Sequence, residues 1–264
     1  MKNRLLITSC LFVVSLLFAA CGDDSDSATR PAEDLSSSID SSSASKKTES
    51  SSSISVSVVD PSTVVVGNIT DSRDGQTYKT VTIGTQTWMA QNLNYETENS
   101  CCFLNSPYSC DEVGRLYTWA AAMDGAGTWS SNGKGCGSGL SCTPAYPVRG
   151  VCPAGWHLPT KTEFETLFTA VGGLSVAGEM LKSTSGWKSD GNGTDVYSFS
   201  ALPAGLRNYY GRYDYNGSSA FFWSSTVDDI GYAYYMYLVY YRGNADMIGS
   251  SSFYWYSVRC VKDD

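Results

Sequence analysis

The sequence predicts an α+β domain over residues 70–264, with short helices packed on an antiparallel sheet. Three observations predict it. Thr160 and Glu163 open a helix whose apolar positions run Phe164, Leu167, Phe168 and Val171. After residue 195 the chain turns to short aromatic runs separated by Gly and Asn, which is strand patterning. The helical patterns come first and the strand runs after them, as when helices are segregated on one face of an antiparallel sheet. No fixed 20–50-residue period is present, which excludes a solenoid.

The chain begins with MKNRLLITSCLFVVSLLFAA. Lys2 and Arg4 give a basic start, and Leu5 to Phe18 is an apolar run too short for a spanning helix. Residues 1–20 are therefore expected to be an export signal. LFAAC resembles the lipobox of bacterial lipoproteins, so Cys21 is expected to carry the lipid and become the mature N-terminus; ordinary cleavage near Ala20 is the alternative. Several acyl chains anchor almost permanently where one binds marginally. Residues 22–60 hold 15 Ser in 39 positions, with acidic residues and almost no aromatics. Such a segment buries too little apolar surface to offset its chain entropy. Residues 21–69 are expected to form a disordered tether, the roughly 40 residues of its Ser-rich stretch having an r.m.s. span of about 35 Å. The acidic start CGDDSD resembles the surface-export signal of some Gram-negative lipoproteins. The expected location is thus the outer membrane, facing outward, with periplasmic exposure as the alternative.

Hydrophobic residues make up 42%, enough for a core, and Lys+Arg 18 against Asp+Glu 26 gives −8. Loss of Lys2 and Arg4 with the signal takes the charge to −10. Phosphate binding needs clustered Lys and Arg, so no nucleic-acid partner is expected. The single histidine, His157, disfavours His-pair metal sites.

Within the domain, Asp74-Gly75 is a turn signal, and Tyr78, Val81 and Ile83 follow as a strand, returning over 85–90. Ala120 to Ala122 predict a helix over 116–123, with Gly125 as its stop. Residues 125–139 read as a long loop holding Trp129. Thr160 with Glu163 is a capping box, and Gly172-Gly173 ends that helix. Val176 to Lys182 reads as a second short helix. The runs YSFSAL, LRNYYGRYDYNG, SAFFWSST, GYAYYMYLVYYR and SVRCVKD read as strands and turns. Beyond Cys10 and Cys21 seven cysteines remain, an odd number. Cys136 and Cys142 bracket a short glycine loop and are expected to pair, as are Cys102 and Cys110 around FLNSPYS. No C-x-x-C pair is present, so zinc is not expected.

The stretches DGQTYKTVTIGTQTWMAQNLNY, CDEVGRLYTWAAAM, CPAGWHLPTKTEFETL, ALPAGLRN, FFWSST and SVRCVKD together resemble the Fibrobacter succinogenes major paralogous domain over residues 74–263. That family consists of secreted or lipid-anchored bacterial proteins of largely unassigned function. HLPTKTEFETL, GLRN and SVRCV are also similar to motifs of the formylglycine-generating enzymes, and this second resemblance implies a C-type lectin-like fold with a twisted sheet and long irregular loops. Cys152 and Cys260 lie in the family motifs, and the resemblance implies that they pair. Cys101 is then left over: it competes with Cys102, stays free, or links two chains as a covalent dimer.

Catalytic signatures are weak. Formylglycine chemistry needs two reactive cysteines near the domain's end, where this chain has only Cys260. His157 reads as a structural histidine, and Asp228-Asp229 as solvated turn acids where glycoside hydrolysis would need a carboxylate pair. No catalytic residue, metal site or cofactor is expected. Calcium, the natural ion of lectin-like domains, finds oxygen ligands only in Asp190, Asn192 and Asp195, a set that reads first as an ordinary turn. The aromatic excess stands out: 17 of the 50 residues from 207 to 256 are Tyr, Phe or Trp. Tyr232, Tyr234 and Tyr240 share one strand face, while Tyr235, Tyr237 and Tyr241 take the other. Tyr and Trp offer rigid amphipathic contact area and stack on sugar rings. Tyr209, Tyr210, Tyr213 and Tyr215, interrupted by Gly211, Asp214, Asn216 and Gly217, are the expected ligand-binding residues, whereas Trp223 and Trp255 are expected in the core. The reading is a non-catalytic, lipid-anchored envelope protein binding a glycan or an envelope protein; the alternative is an enzyme on the same fold, a formylglycine-generating relative or a hydrolase.

Overall fold

The computed structural model describes residues 57–264. The export signal 1–20, Cys21 and the tether up to residue 56 lie outside the described residues. The expected boundary at residue 70 falls too late. The backbone N–H of Val59 donates to Ala170 O at 2.8 Å, and Tyr197 Oη donates to Val59 O at 2.8 Å. Strand β1 (Val65–Thr70) then pairs antiparallel with β2 (Thr77–Ile83). Five of the six β1 residues lie exposed, so the strand carries no burial signature to read. Among the described residues no helix is long and apolar enough to cross a membrane.

The α+β class is as expected, with strand dominating. β2 turns at Gly84 into β3 (Gln86–Met89). Next come β4 (Ser100–Cys101), α1 (Pro107–Val113), β5 (Leu116–Thr118) and α2 (Trp119–Ala122). The helix expected over 116–123 is therefore only half a helix. Leu116 and Tyr117 are taken by the sheet, Tyr117 pairing with Tyr256, and Thr118 caps α2 by accepting from Ala121 N at 3.2 Å. Sheet pairing overrides helix propensity where a partner strand is present. Helix α1 has no sequence-level expectation, although Pro107 at its first turn and Gly114 at φ 75 just past its end are the usual punctuation.

Strand β6 (Trp156–His157) leads into α3 (Lys161–Ala170), where the capping box is complete and Phe164, Leu167 and Phe168 are buried. α4 spans Leu174–Leu181, two residues earlier than read. The remainder is β7 (Leu206–Arg207), β8 (Tyr213–Asp214), β9 (Ser219–Asp229), β10 (Tyr232–Val239), β11 (Asp246–Ser251), β12 (Trp255–Ser257) and β13 (Val261–Lys262). Two sheets result, ordered β1-β2-β3-β13-β6 and β11-β10-β9-β12-β5-β4, with β7 joined to β12 and β8.

Strand β9 explains how the core divides. Residues 219–225 are buried on both faces. Ala220 and Phe222 face a core that includes Met236 and Leu238 of β10, Phe164 and Phe168 of α3, and Trp88. Phe221 and Trp223 face the other core with Tyr235, Tyr256 and Trp119. The register Tyr235↔Trp223, Met236↔Phe222, Tyr237↔Phe221 keeps each side-chain set on its own face. Full burial of one such ring stabilises by about 1.5–3 kcal/mol.

The terminal SVRCV segment ties both cores together. Arg259 is wholly buried. It donates to Asn92 Oδ1 at 2.7 Å, to Ser200 O at 3.1 Å and to Phe199 O, and its guanidinium lies 4.5 Å from the Phe199 ring centre. Cys260 is bonded to Cys152 with 5.9 Å between Cα atoms, and Val261 pairs with both Trp88 and His157. Cys102–Cys110 and Cys136–Cys142 are the other two disulfides, each 5.0 Å at Cα.

Candidate functional site

On the β9–β10–β12 face not covered by α3, the sheet opens into a groove of about 430 Å³. Its floor is a stack of rings. Phe221 lies 5.0 Å from Tyr256 at 17° and 5.2 Å from Tyr237 at 30°, with Tyr235 beside them. Tyr254 and Tyr215 form its walls, Tyr254 lying 5.8 Å from Tyr256. Asn208, Asp214 and Ser250 bring polar groups to the rim. Tyr256 Oη donates to Ser250 Oγ at 3.3 Å, and Asn208 Nδ2 donates to Asp214 Oδ2 at 3.3 Å. Burial pushes the Tyr235 hydroxyl up to about 12 and Tyr256 further still, so both remain neutral donors at any physiological pH.

The four expected tyrosines are separated by this geometry. Tyr215 lines the groove and is 58% exposed. Tyr209 stands at its end, 5.7 Å edge-on to Tyr254, with Tyr210 tilted against it at 4.0 Å on the outer side. Tyr213 faces away: its hydroxyl donates to Asn105 Oδ1 at 2.8 Å and its ring meets Phe103 at 5.2 Å. Tyr213 is therefore not a groove residue. The groove's main rings, Phe221, Tyr235, Tyr237, Tyr254 and Tyr256, were not expected as site residues. The alternation of Tyr235 and Tyr237 on one strand face was the available signal. Trp223 is buried as expected, but Trp255 is only half-buried, packed 4.6 Å from the Arg207 guanidinium on its ring face. At Gly205, which starts the β7–β8 hairpin at φ 70, a Cβ would sit 2.5 Å from Asp214 O, so only glycine fits.

The larger concavity lies on the other side of that hairpin. It is a polar cleft of about 780 Å³ lined by Arg73, Arg115, Asn94, Cys101 and Asp111 among others. Size alone does not make it the aromatic site, because its walls are mostly polar and charged. Cys101 carries the free thiol there. It is half-buried, next to the Tyr213 hydroxyl and Arg207, and burial raises its pKa.

The remaining expected groups resolve as structure. His157 Nδ1 lies 2.6 Å from Asp263 Oδ1 and Nε2 lies 2.8 Å from Glu163 Oε1. Burial opposes its charge, but the two carboxylates prevail and raise its pKa. Glu163 in turn accepts from Thr160 N and Oγ1, so the carboxylate that engages Nε2 also caps α3. Asp195 accepts from Ser200 N at 2.7 Å and Ser200 Oγ at 2.6 Å, and Asn192 from Trp187 N at 3.1 Å. These oxygens close turns, and no group of three metal-ligating side chains occurs among the described residues. Asp229 closes the β9–β10 turn through Ile230 N at 2.7 Å.

Fold and site together define a disulfide-stapled α+β domain whose sheet presents an aromatic groove. The Fibrobacter succinogenes major domain model matches residues 81–262, and the chain belongs to that family. No curated protein and no solved structure matches the chain.

Proposed function

We propose that this is a lipid-anchored outer-membrane protein, facing outward, whose domain adopts a C-type lectin-like arrangement and binds a neutral glycan without catalysis. Cys21 carries the anchor and the Ser-rich segment holds the domain clear of the headgroups. The observation that carries the reading is the groove formed by exposed Tyr215 and half-buried Tyr254 and Tyr237 over the buried rings of Phe221 and Tyr256. Flat faces stack on sugar rings, and Asn208, Asp214 and Ser250 offer both donors and acceptors to hydroxyls at the rim. The disulfide between Cys152 and fully buried Cys260 leaves no thiol there for formylglycine-type oxidation, which favours binding over that chemistry.

A glycan and polysaccharide panel on the Cys21→Ser chain tests the reading. Tyr215→Ala with Tyr254→Ala should weaken binding at least about tenfold, taking ring stacking as worth roughly 1–3 kcal/mol per ring. Tyr213→Phe, outside the groove, should leave affinity unchanged. Absence of any glycan binding at millimolar ligand rejects the proposal.

A further inference from the structure

We infer that the binding site runs past the groove onto the β7–β8 turn, and that it takes several consecutive sugars of a single dispersed glycan chain, not a terminal sugar and not a flat crystalline face. This extended site presupposes the glycan reading above and narrows its ligand. All the rings involved are reached by solvent. Tyr237 and Tyr254 are half-buried, and Tyr215, Tyr209 and Tyr210 are 58%, 54% and 76% exposed. From Tyr254 in the groove wall the rings continue outward, 5.7 Å to Tyr209 and 4.0 Å on to Tyr210. A pocket for a terminal sugar ends on groups that close around it, whereas here the end of the groove is continued by two further rings.

The outer pair is held in place rather than packed away. Asn208 Oδ1 accepts from Tyr210 N and from Arg212 N, both at 3.0 Å, and Gly211 N donates to Asn208 O at 2.9 Å. Gly211 supplies the φ of 83 in this tight turn. A backbone fixed before binding lowers the ordering cost of a ligand contact, and tyrosine adds contact area at little side-chain entropy. Among the described residues the only ring partner of Tyr210 is Tyr209. Ring orientation argues against a planar ligand. Tyr254 lies 28° from Tyr256, but Tyr209 is turned 88° from Tyr254. Rings turned through nearly a right angle cannot both stack on one flat surface, while a single chain whose sugars turn relative to one another meets them in succession.

Calorimetry on the full Cys21→Ser chain compares maltohexaose, laminarihexaose, xylohexaose and cellohexaose with the disaccharide of each. A hexasaccharide that binds should do so about tenfold or more tighter than its disaccharide. Tyr210→Ala should weaken the hexasaccharide about fivefold or more and leave the disaccharide unchanged. Tyr210→Phe should keep the ring's contribution, and Tyr215→Ala in the groove should weaken both sugars. Microcrystalline cellulose should not retain the protein from solution. Equal affinity for hexasaccharide and disaccharide, an unaltered hexasaccharide affinity in Tyr210→Ala, or retention on microcrystalline cellulose overturns the extended site and leaves the glycan reading standing. Absence of binding by all four hexasaccharides at about 10 mM overturns it as well, whereas the glycan reading itself falls only if the whole polysaccharide panel fails.

Discussion

Opening the Cys152–Cys260 disulfide is the sharpest perturbation of this fold. The two cysteines are 108 residues apart, against 8 for Cys102–Cys110 and 6 for Cys136–Cys142. If a disulfide acts mainly by removing loop-closure entropy from the unfolded chain, the long bridge contributes about 4.8 kcal/mol and the short ones about 2.5 and 2.2 kcal/mol. The Cys152→Ala/Cys260→Ala chain should therefore melt about 10–19 °C lower than the parent, given about 2–4 °C per kcal/mol for a domain of this size. The corresponding Cys136→Ala/Cys142→Ala chain should lose roughly half as much. Urea unfolding of the parent and both double variants, monitored by Trp fluorescence, measures the difference directly. A long-bridge loss below about 2 kcal/mol, or equal losses for long and short bridges, would refute the entropic reasoning and make local packing around Cys260 the source of stability.

The His157 cluster predicts a pH dependence. The raised folded pKa of His157 gives stability that is complete below its unfolded value near 6.5 and lost as pH rises through the folded value, while Glu163, held down by His157 and Thr160 despite burial, gives stability above about 4.5 that is lost as pH falls. The gap in unfolding free energy between the parent and His157→Gln should then be widest at about pH 5–6.5 and shrink toward pH 9; a gap that stays level would count against the ion cluster. Arg259→Met strands Asn92 Oδ1 and the carbonyls of Phe199 and Ser200 without their donor. It should cost about 3 kcal/mol or more in urea unfolding. Burial brings the Arg259 pKa down to about 9, so the group is still charged at neutral pH. Cys21→Ser should abolish metabolic fatty-acid labelling and detergent partitioning, and retained labelling would reject the anchor.

Features encoded over a few neighbouring residues were legible in the sequence. The α3 cap rests on Thr160 and Glu163, three positions apart, and the two short disulfides close 8 and 6 residues, so local chemistry alone specifies them. The β2–β3 hairpin follows from β-branched residues around Gly84 for the same reason. The β5 segment was misread because Leu116 and Tyr117 become strand only when β12 and β4 are present to pair with them. Likewise β1 is ordered by pairing with β2, and its own exposed residues give no periodicity.

The candidate site shows the same division. Turn residues correctly marked Tyr209, Tyr210 and Tyr215 as exposed, but exposure does not tell which rings converge. Convergence is set by the β9–β10 register, by β12 entering beside β9, and by α3 covering the opposite face. Period-two alternation separated Tyr235 and Tyr237 from Tyr232 and Tyr234, yet alternation is symmetric between the two faces. Composition and local patterning thus determined the class, the capped helix and the short bridges. Only long-range packing decided which aromatic face is buried under a helix and which is left as a groove, because burial depends on contacts between residues far apart in the chain.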